Sequence, residues 1–343
     1  MSRGNFNFET VSPFYANPAE QAEVQEPILG YDKYIVAFSG GKDSTACFLH
    51  LLDIGVPISQ IELWHHDIDG GGRTFMDWES TPGYCRAFAA AFGVPIYFSW
   101  KAGGFEREMT RQNSLTAPTF FETPEGLQQA GGTQGKPSTR MMYPQVSPDL
   151  SVRWCSAYLK IDVCATAIRN QSRFDGIQTL ILSGERGQES KARSKYAIHE
   201  VDRADGRNGK KQRHVDRWRP IRDWSEQEVW KIIQRYGVRV HPAYYLGWGR
   251  VSCKFCIFGN ANQFASAFHV SPEQGKVVAG YESQFGKTIK RNMTLAQLVA
   301  NGTPYEMEQE MIDLATSEDY TPDIFMSDWY LPAGAYGESC GPV

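Results

Sequence analysis

The chain has 343 residues, with 35 Lys and Arg against 39 Asp and Glu and a formal net charge of −4. At 41% hydrophobic and 22% charged residues it belongs with globular rather than disordered chains, and its length exceeds what one small core organises, so a main domain with an appendage is expected. The acidic balance excludes a protein that coats nucleic acid with its whole surface, no apolar run reaches the ~18 residues of a membrane span, and the first residues lack the apolar core of a secretion signal, so a cytoplasmic chain without a membrane partner is predicted.

In chain order, residues 1–30 are polar, carry Pro13, Pro18 and Pro27, and read as an N-terminal arm. Tyr34–Phe38 is an apolar strand that runs into Ser39-Gly40-Gly41-Lys42-Asp43-Ser44, followed by a helical pattern through Ala46, Leu49, Leu51 and Leu52. A second strand is predicted at Ile58–His65, ending in His66 and Asp67. A helix is predicted at Met76–Phe92 and a third strand at Val94–Ser99. Residues 101–150 show no period and read as an irregular insertion that covers substrate. A helix over 156–171 and a buried strand at Gln178–Ser183, stopped by Gly184, come next. Residues 199–217 form a polar loop holding Arg203, Arg207, Lys210, Lys211, Arg213 and Arg217 among four acids. It is either a solvated loop or a local nucleic-acid contact. Ser225 caps a helix to Tyr236 through a Ser-Glu-Gln-Glu capping box. After Gly259 the chain is mainly helical until a loose tail from Gly334. Strands alternating with helices imply a parallel sheet with right-handed crossovers.

The run from Ser39 to Ser44 is an anion site by construction. A strand, paired glycines and a helix N-terminus aim backbone N–H groups and a favourable dipole at a ligand, Lys42 adds a cation, and Ser39 and Ser44 add hydroxyls. It is neither a Walker A loop, since Asp43 follows the lysine and no glycine stands five residues before Gly41, nor a dinucleotide fingerprint. Seven cysteines in a chain of this class suggest metal or redox chemistry for some and burial for the rest. Cys253-Lys254-Phe255-Cys256 is a C-x-x-C, and Cys155 stands just before a helix.

SGGKDS resembles the pyrophosphate loop of the N-type ATP pyrophosphatases. With RWCSAYLK at 153–160, GERGQES at 184–190, Arg193, PIRDWSEQEVW at 220–230 and HPAYYLGWGRVSCKFC at 241–256, the chain resembles the PAPS-reductase-like superfamily over roughly residues 31–268. Among its members the sulfur-inserting ATP pyrophosphatases of DNA phosphorothioation systems are the nearest resemblance. That resemblance implies an α/β fold with a doubly wound, mainly parallel sheet of the adenine nucleotide α-hydrolase kind. It implies a PP-loop domain over 31–235 and a cysteine-bearing, mainly helical C-terminal region over 236–343. It implies ATP and Mg²⁺ bound by Ser39, Gly40, Gly41, Lys42, Asp43, Ser44, His66, Asp67 and Gly184, with Lys42, Asp43, Arg186 and Arg193 in catalysis. Asp43 either helps hold the metal or caps the helix. His66 and Asp67 either contact adenosine or are an ordinary polar strand end. Glu189 and Arg193 can equally form an i, i+4 pair. Lys160 and Arg250 flank the cysteines and either hold an anionic substrate or are surface charges.

The same resemblance assigns Cys155, Cys253 and Cys256 to a [4Fe–4S] cluster, with structural zinc as the rival and Cys340 as a candidate fourth ligand. Cys164, Cys47 and Cys85 read as core residues. The implied activity is release of pyrophosphate from ATP, adenylation of an acceptor oxygen and support of sulfur transfer, with a cysteine desulfurase as donor and DNA-modification proteins as partners. Three alternatives stand beside it: a PAPS or APS reductase using Cys340, a tRNA thiolase, and a non-catalytic iron–sulfur relay.

Overall fold

Val36 of the first strand lies opposite Leu63 on one side and Leu182 on the other, and all three are fully buried. That row is the centre of the molecule. The computed structural model describes residues 28–147 and 149–337, so most of the predicted N-terminal arm, and Cys340, lie outside the described residues.

Strand β1 (Lys33–Ala37) leads through the glycine loop into helix α1 (Lys42–Asp53). β2 (Ile61–Asp67), α2 (Ser80–Phe92), β3 (Ile96–Lys101) and the short α3 (Gly104–Met109) follow. β4 (Thr119–Thr123) and β5 (Gly126–Ala130) form a hairpin. A helical turn α4 (Trp154–Ser156) passes through a π turn at Ala157–Ile161 into α5 (Asp162–Arg169). β6 (Gln178–Leu182), β7 (His199–Val201) and β8 (His214–Trp218) complete an eight-stranded sheet of order β5-β4-β3-β2-β1-β6-β8-β7. The five central strands are parallel, while β4, β5 and β7 run antiparallel at the edges. Helices α6 (Glu226–Arg235), α7 (Ala261–Val270), α8 (Pro272–Phe285), α9 (Leu295–Asn301) and α10 (Gln309–Ala315) follow.

The sheet is doubly wound, as expected. Because strand side chains alternate, Tyr34 and Val36 enter the core shared with α1, α2 and the C-terminal helices. Ile35 and Ile181 enter a second core closed by Cys164, Ala165, Ala167 and Ile168 of α5. Both faces of β1 are therefore apolar, which is why the strand reads as an unbroken hydrophobic run. Residues 243–248 and 255–267 contribute Ala243, Tyr244, Leu246, Trp248, Phe255, Phe264 and Ala267 to the same core as the sheet.

Several expectations need correcting. The insertion is not irregular throughout: it supplies α3 and the β4–β5 hairpin, and β5 is an exposed edge rich in glutamine, which hides its strand character. The basic stretch 199–217 contains β7 and β8, whose charged residues pair internally rather than alternate with apolar ones. Five of its six cations meet carboxylates: Arg203 with Asp162, Arg207 with Asp205 and Asp216, Lys211 and Arg213 with Asp175, and Arg217 with Asp202. Helix α2 starts at Ser80 rather than Met76, because the Asp69 carboxylate takes the N–H groups of Phe75, Met76 and Asp77 and holds them in a loop.

Candidate functional site

β1 connects to β2 on one side and its other neighbour β6 connects onward to β8, so the winding reverses between β1 and β6. Open α/β sheets bind ligands outside the carboxyl ends of the strands at such a switch point. Here those ends are Phe38–Ser44 and Ser183–Arg186, and they touch. A Cβ on Gly184 would stand 2.9 Å from the Asp43 carbonyl carbon, so no side chain fits between the two loops. Gly40 takes a φ of +76°, and an added Cβ would press on Tyr84 and Cys85 at 3.2 Å.

Lys42 is 3% exposed. Its Nζ donates to the Gly249 carbonyl at 2.7 Å and lies 3.3 Å from Glu226 and 3.8 Å from Asp43. Its backbone N–H donates to the Tyr244 hydroxyl at 2.8 Å, and the rings of Tyr244 and Trp230 lie 5.6 and 5.9 Å from the ammonium. Burial favours the neutral amine, yet Asp43, Tyr244 and Glu226 outweigh it and raise the lysine above its ordinary value. Asp43 has the mirror balance: burial would raise it, but Lys42, Arg186 and Arg250 hold it below the usual carboxylate range. Arg186 Nε donates to Asp43 Oδ1 at 2.6 Å. The loop is thus a preorganised row of alternating charges, Glu226, Lys42, Asp43 and Arg186. Ser44 Oγ donates to the Gly41 carbonyl at 2.9 Å and stands 3.4 Å from Ser39 Oγ.

The structure brings Lys42, Asp43, Ser39, Ser44, Gly184 and Arg186 together and adds Arg250, whose charge reaches Asp43. Arg193 stands one step back, its guanidinium bonded to Glu189, whose other tie is to the Arg186 N–H at 2.9 Å. The i, i+4 pair is therefore real, and it braces the loop that carries Arg186. Asp67 caps a turn, accepting the N–H groups of Asp69 at 2.7 Å and Gly71 at 2.8 Å. His66 Nδ1 meets Ser99 Oγ at 2.8 Å, while its buried Nε2 has no partner, and burial and the neighbouring His65 lower its pKa to about 3. A neutral imidazole with an unfilled nitrogen at the end of β2 suits a ligand contact.

Reading the sequence missed Tyr244, Glu226 and the Gly249 carbonyl. All three lie inside motifs already singled out, but no spacing says that residues more than 180 positions apart meet the same lysine. The capping box of α6 was the available signal, since Glu226 occupies the first position of that helix.

Cys155, Cys253 and Cys256 occupy one neighbourhood. Burial and then Cys256 push Cys155 up to about 11, and burial, Cys256 and Cys155 act together on Cys253. Lys160, exposed on the π turn, pulls the other way on both Cys155 and Cys253, and its charge also reaches His66. Buried thiols that repel each other as thiolates need a cation before they can ionise, which is what a metal centre supplies. Among the described residues no three Cys, His, Asp or Glu side chains gather closely enough to clasp a single ion. A closed zinc site sets its thiolates about 2.3 Å from one centre and takes four ligands, one more than these three cysteines supply. A [4Fe–4S] cluster is likewise held by cysteine thiolates, so the three residues are chemically suited to either group. Cys164 belongs to the second core, and Cys47 and Cys85 are buried, as expected.

Residues 129–258 match the phosphoadenosine phosphosulfate reductase domain. A 37.8 kDa protein from the gpa 5′ region of Escherichia phage 186 is 30% identical over 174 residues, 50% of this chain and 49% of that one. The adenosine 5′-phosphosulfate reductase of Allochromatium vinosum is 26% identical over 102 residues, 30% of this chain and 34% of that one. The chain spans about half or less of the length of these relatives. Among solved structures, Candida glabrata FMN adenylyltransferase in complex with FAD and inorganic pyrophosphate covers 89% of this chain and 82% of its own at 10% identity, with a TM-score of 0.38. No helix among the described residues is long and apolar enough to cross a membrane.

Proposed function

We propose, from the match of residues 129–258 to the phosphoadenosine phosphosulfate reductase domain, that the chain is a PAPS-reductase-like member of the PP-loop superfamily and a cytoplasmic ATP pyrophosphatase that adenylates an acceptor oxygen in support of sulfur transfer. The observation that carries this reading is the buried Lys42 at the sheet's switch point, held charged beside Asp43 and Arg186. ATP would set its β and γ phosphates against Ser39–Ser44, displacing the Gly249 carbonyl and Glu226 from Lys42. The acceptor oxygen attacks the α phosphorus, the α–β bond breaks, and pyrophosphate leaves with its charge met by Lys42, Mg²⁺ and the loop N–H groups. Asp43 is tied to Arg186, which favours a positioning role that keeps the loop in shape. His66 Nε2 is placed to contact the nucleoside. Displacement of AMP by sulfide then replaces the acceptor oxygen with sulfur; a persulfide would displace AMP to leave a disulfide on the acceptor, which a second thiol must cleave.

Cys155, Cys253 and Cys256 would hold a [4Fe–4S] cluster, which would supply iron able to bind sulfide. The resemblance to phosphorothioation enzymes favours DNA as acceptor, a cysteine desulfurase as donor and DNA-modification proteins as partners. The test is pyrophosphate release from ATP, expected in the wild type and lost in Lys42→Ala. Release retained in that variant overturns the loop assignment.

One observation favours a second reading, reduction of a sulfonucleotide. The relatives include adenosine 5′-phosphosulfate reductases, and the last described residues are fastened beside the loop: Gly334 N–H donates to the Tyr244 carbonyl at 2.7 Å. That reading predicts sulfite formation from PAPS or APS with thioredoxin, abolished in Cys340→Ser.

A further inference from the structure

The insertion after β3 holds a concentration of positive charge that the PP loop does not use. Glu108 of α3 is fully buried. Arg107 Nη1 donates to its Oε1 at 2.7 Å, and the Ala117 N–H reaches the same oxygen at 3.4 Å. Arg111 Nη1 and Arg140 Nη2 stand 3.5 and 3.7 Å from the other oxygen, which accepts no hydrogen bond. Lys101, at the carboxyl end of β3 and 8% exposed, donates only a long bond, 3.4 Å, to the Ala117 carbonyl. Three guanidiniums therefore share one carboxylate, with an ammonium beside them. Asp162 acts on Lys101 more strongly than Glu108 does, but it is also paired with Arg203 at 2.7 Å.

Such a cluster is unfavourable as it stands, because an uncompensated buried charge costs several kcal/mol. Burial lowers both Lys101 and Arg140, and Arg111 adds to the effect on each, against the pull of Asp162 and Glu108 on Lys101 and of Glu108 on Arg140. The buried nitrogens are incomplete as well. Nε of Arg111 and of Arg140 have no acceptor, and neither does Nε of Arg153 nearby in sequence to Cys155. Arg111 is 7% exposed and the Arg140 side chain 9%. Buried donors left open in this way imply a missing acceptor, and the excess charge says that it is an anion. The guanidiniums are also braced: Arg140 lies 4.4 Å from the ring centre of Trp154 and 4.8 Å from that of Tyr158, and Arg111 donates to Thr116 Oγ1 at 2.7 Å. Arg107 keeps 34% of its side chain in solvent, which leaves a way in.

The geometry points to an oxyanion subsite in which Arg107, Arg111, Arg140 and Lys101 hold a phosphate or phosphodiester group. Planar guanidinium forks suit tetrahedral oxyanions through paired hydrogen bonds, and three guanidiniums on one acid leave room for the charge of such a group. Trp154 precedes Cys155 on the same helical turn, so the subsite borders the cysteines rather than the PP loop. It is independent of whether the PP loop cleaves ATP. The phosphoryl group can come from a free phosphorylated compound or from a nucleic-acid backbone.

The test is calorimetric titration of the full chain, in chloride buffer, with inorganic phosphate and separately with a short single-stranded oligodeoxynucleotide that lacks terminal phosphates. The wild type, Lys42→Ala, Arg140→Gln and Arg107→Gln are compared. Phosphate binding should survive Lys42→Ala and weaken about tenfold or more in each arginine variant, as loss of a charge-assisted hydrogen bond predicts. Thermal melting gives an independent readout: with no phosphate present, Arg140→Gln should melt no lower than wild type, because removing a cation relieves repulsion. Arg107→Gln, partly exposed, carries the test if Arg140→Gln does not fold. Oligonucleotide binding lost in parallel assigns the subsite to a backbone, and phosphate binding alone assigns it to a free compound. Phosphate binding that vanishes in Lys42→Ala and is untouched in both arginine variants overturns the proposal, as does no binding of either probe by the wild type.

Discussion

Arg186 donates from Nε to Asp43 Oδ1 at 2.6 Å, across the reversal of the sheet, fastening the loop after β6 to the first turn of α1. Arg186 is 5% exposed and the Asp43 side chain 17%. Lys42, 3.8 Å away, still faces Asp43 when the arginine is removed, so Arg186→Met should lower stability by about 1.5–3 kcal/mol, the scale of a lost hydrogen bond to a charged group. The double variant Asp43→Asn, Arg186→Met should lose clearly less than the two single losses added together. Urea unfolding of the four proteins measures this, and strict additivity would show that the two side chains are not coupled.

Glu226 competes with a phosphate for Lys42. Its carboxylate lies 3.3 Å from the ammonium, with 24% of the side chain exposed. Glu226→Gln should therefore change stability by under about 1 kcal/mol. It should tighten nucleotide binding several-fold by leaving the lysine one anion short. Equilibrium titration with a non-hydrolysable ATP analogue checks it, and unchanged or weaker binding contradicts the competition.

His241 is fully buried, accepts the Ala243 N–H at Nδ1 and faces Thr81 Oγ1 with Nε2 at 3.1 Å. A proton on Nδ1 would break the first of these contacts. Burial, with His65 adding to it, lowers the group from 6.5 to about 3. The unfolded chain thus takes up the proton first. The histidine's contribution to stability is complete above about pH 6.5 and is lost as pH falls toward 3, by roughly 1.4 kcal/mol per pH unit at most. Unfolding free energies at pH 7.5 and 5.5 should show a drop in the wild type and a shallower one in His241→Gln. An equal drop in both would falsify this assignment.

Protein prepared without oxygen should carry iron and acid-labile sulfide. The load should be lost in Cys155→Ser and Cys256→Ser and kept in Cys164→Ser, because Cys164 packs in the second core with Ala167 and Ile168. Iron retained in full by Cys155→Ser, or zinc found in place of iron, rejects the three-cysteine cluster.

Local chemistry was legible wherever neighbours in sequence are neighbours in space. β1, its glycine loop and α1 form one continuous segment, so Tyr34–Phe38 and SGGKDS revealed the strand, the turn and the start of the helix. The capping box at Ser225 and the burial of Cys47, Cys85 and Cys164 were legible for the same reason. The edge strands β5 and β7, and β8 beside the latter, were not. Their side chains satisfy charge pairs such as Arg217 with Asp202 or face solvent, so no apolar alternation records them.

The amino-acid order by itself determined that a lysine-bearing glycine turn joins a buried strand to a helix, because backbone geometry and hydrophobic period are short-range properties. Only the tertiary structure decided what surrounds that lysine and what surrounds Glu108. Glu226, Tyr244 and Gly249 reach Lys42, and Arg140 reaches α3, through packing of segments far apart along the chain. The Coulomb energy of such contacts depends on distance and burial, which a linear sequence does not contain.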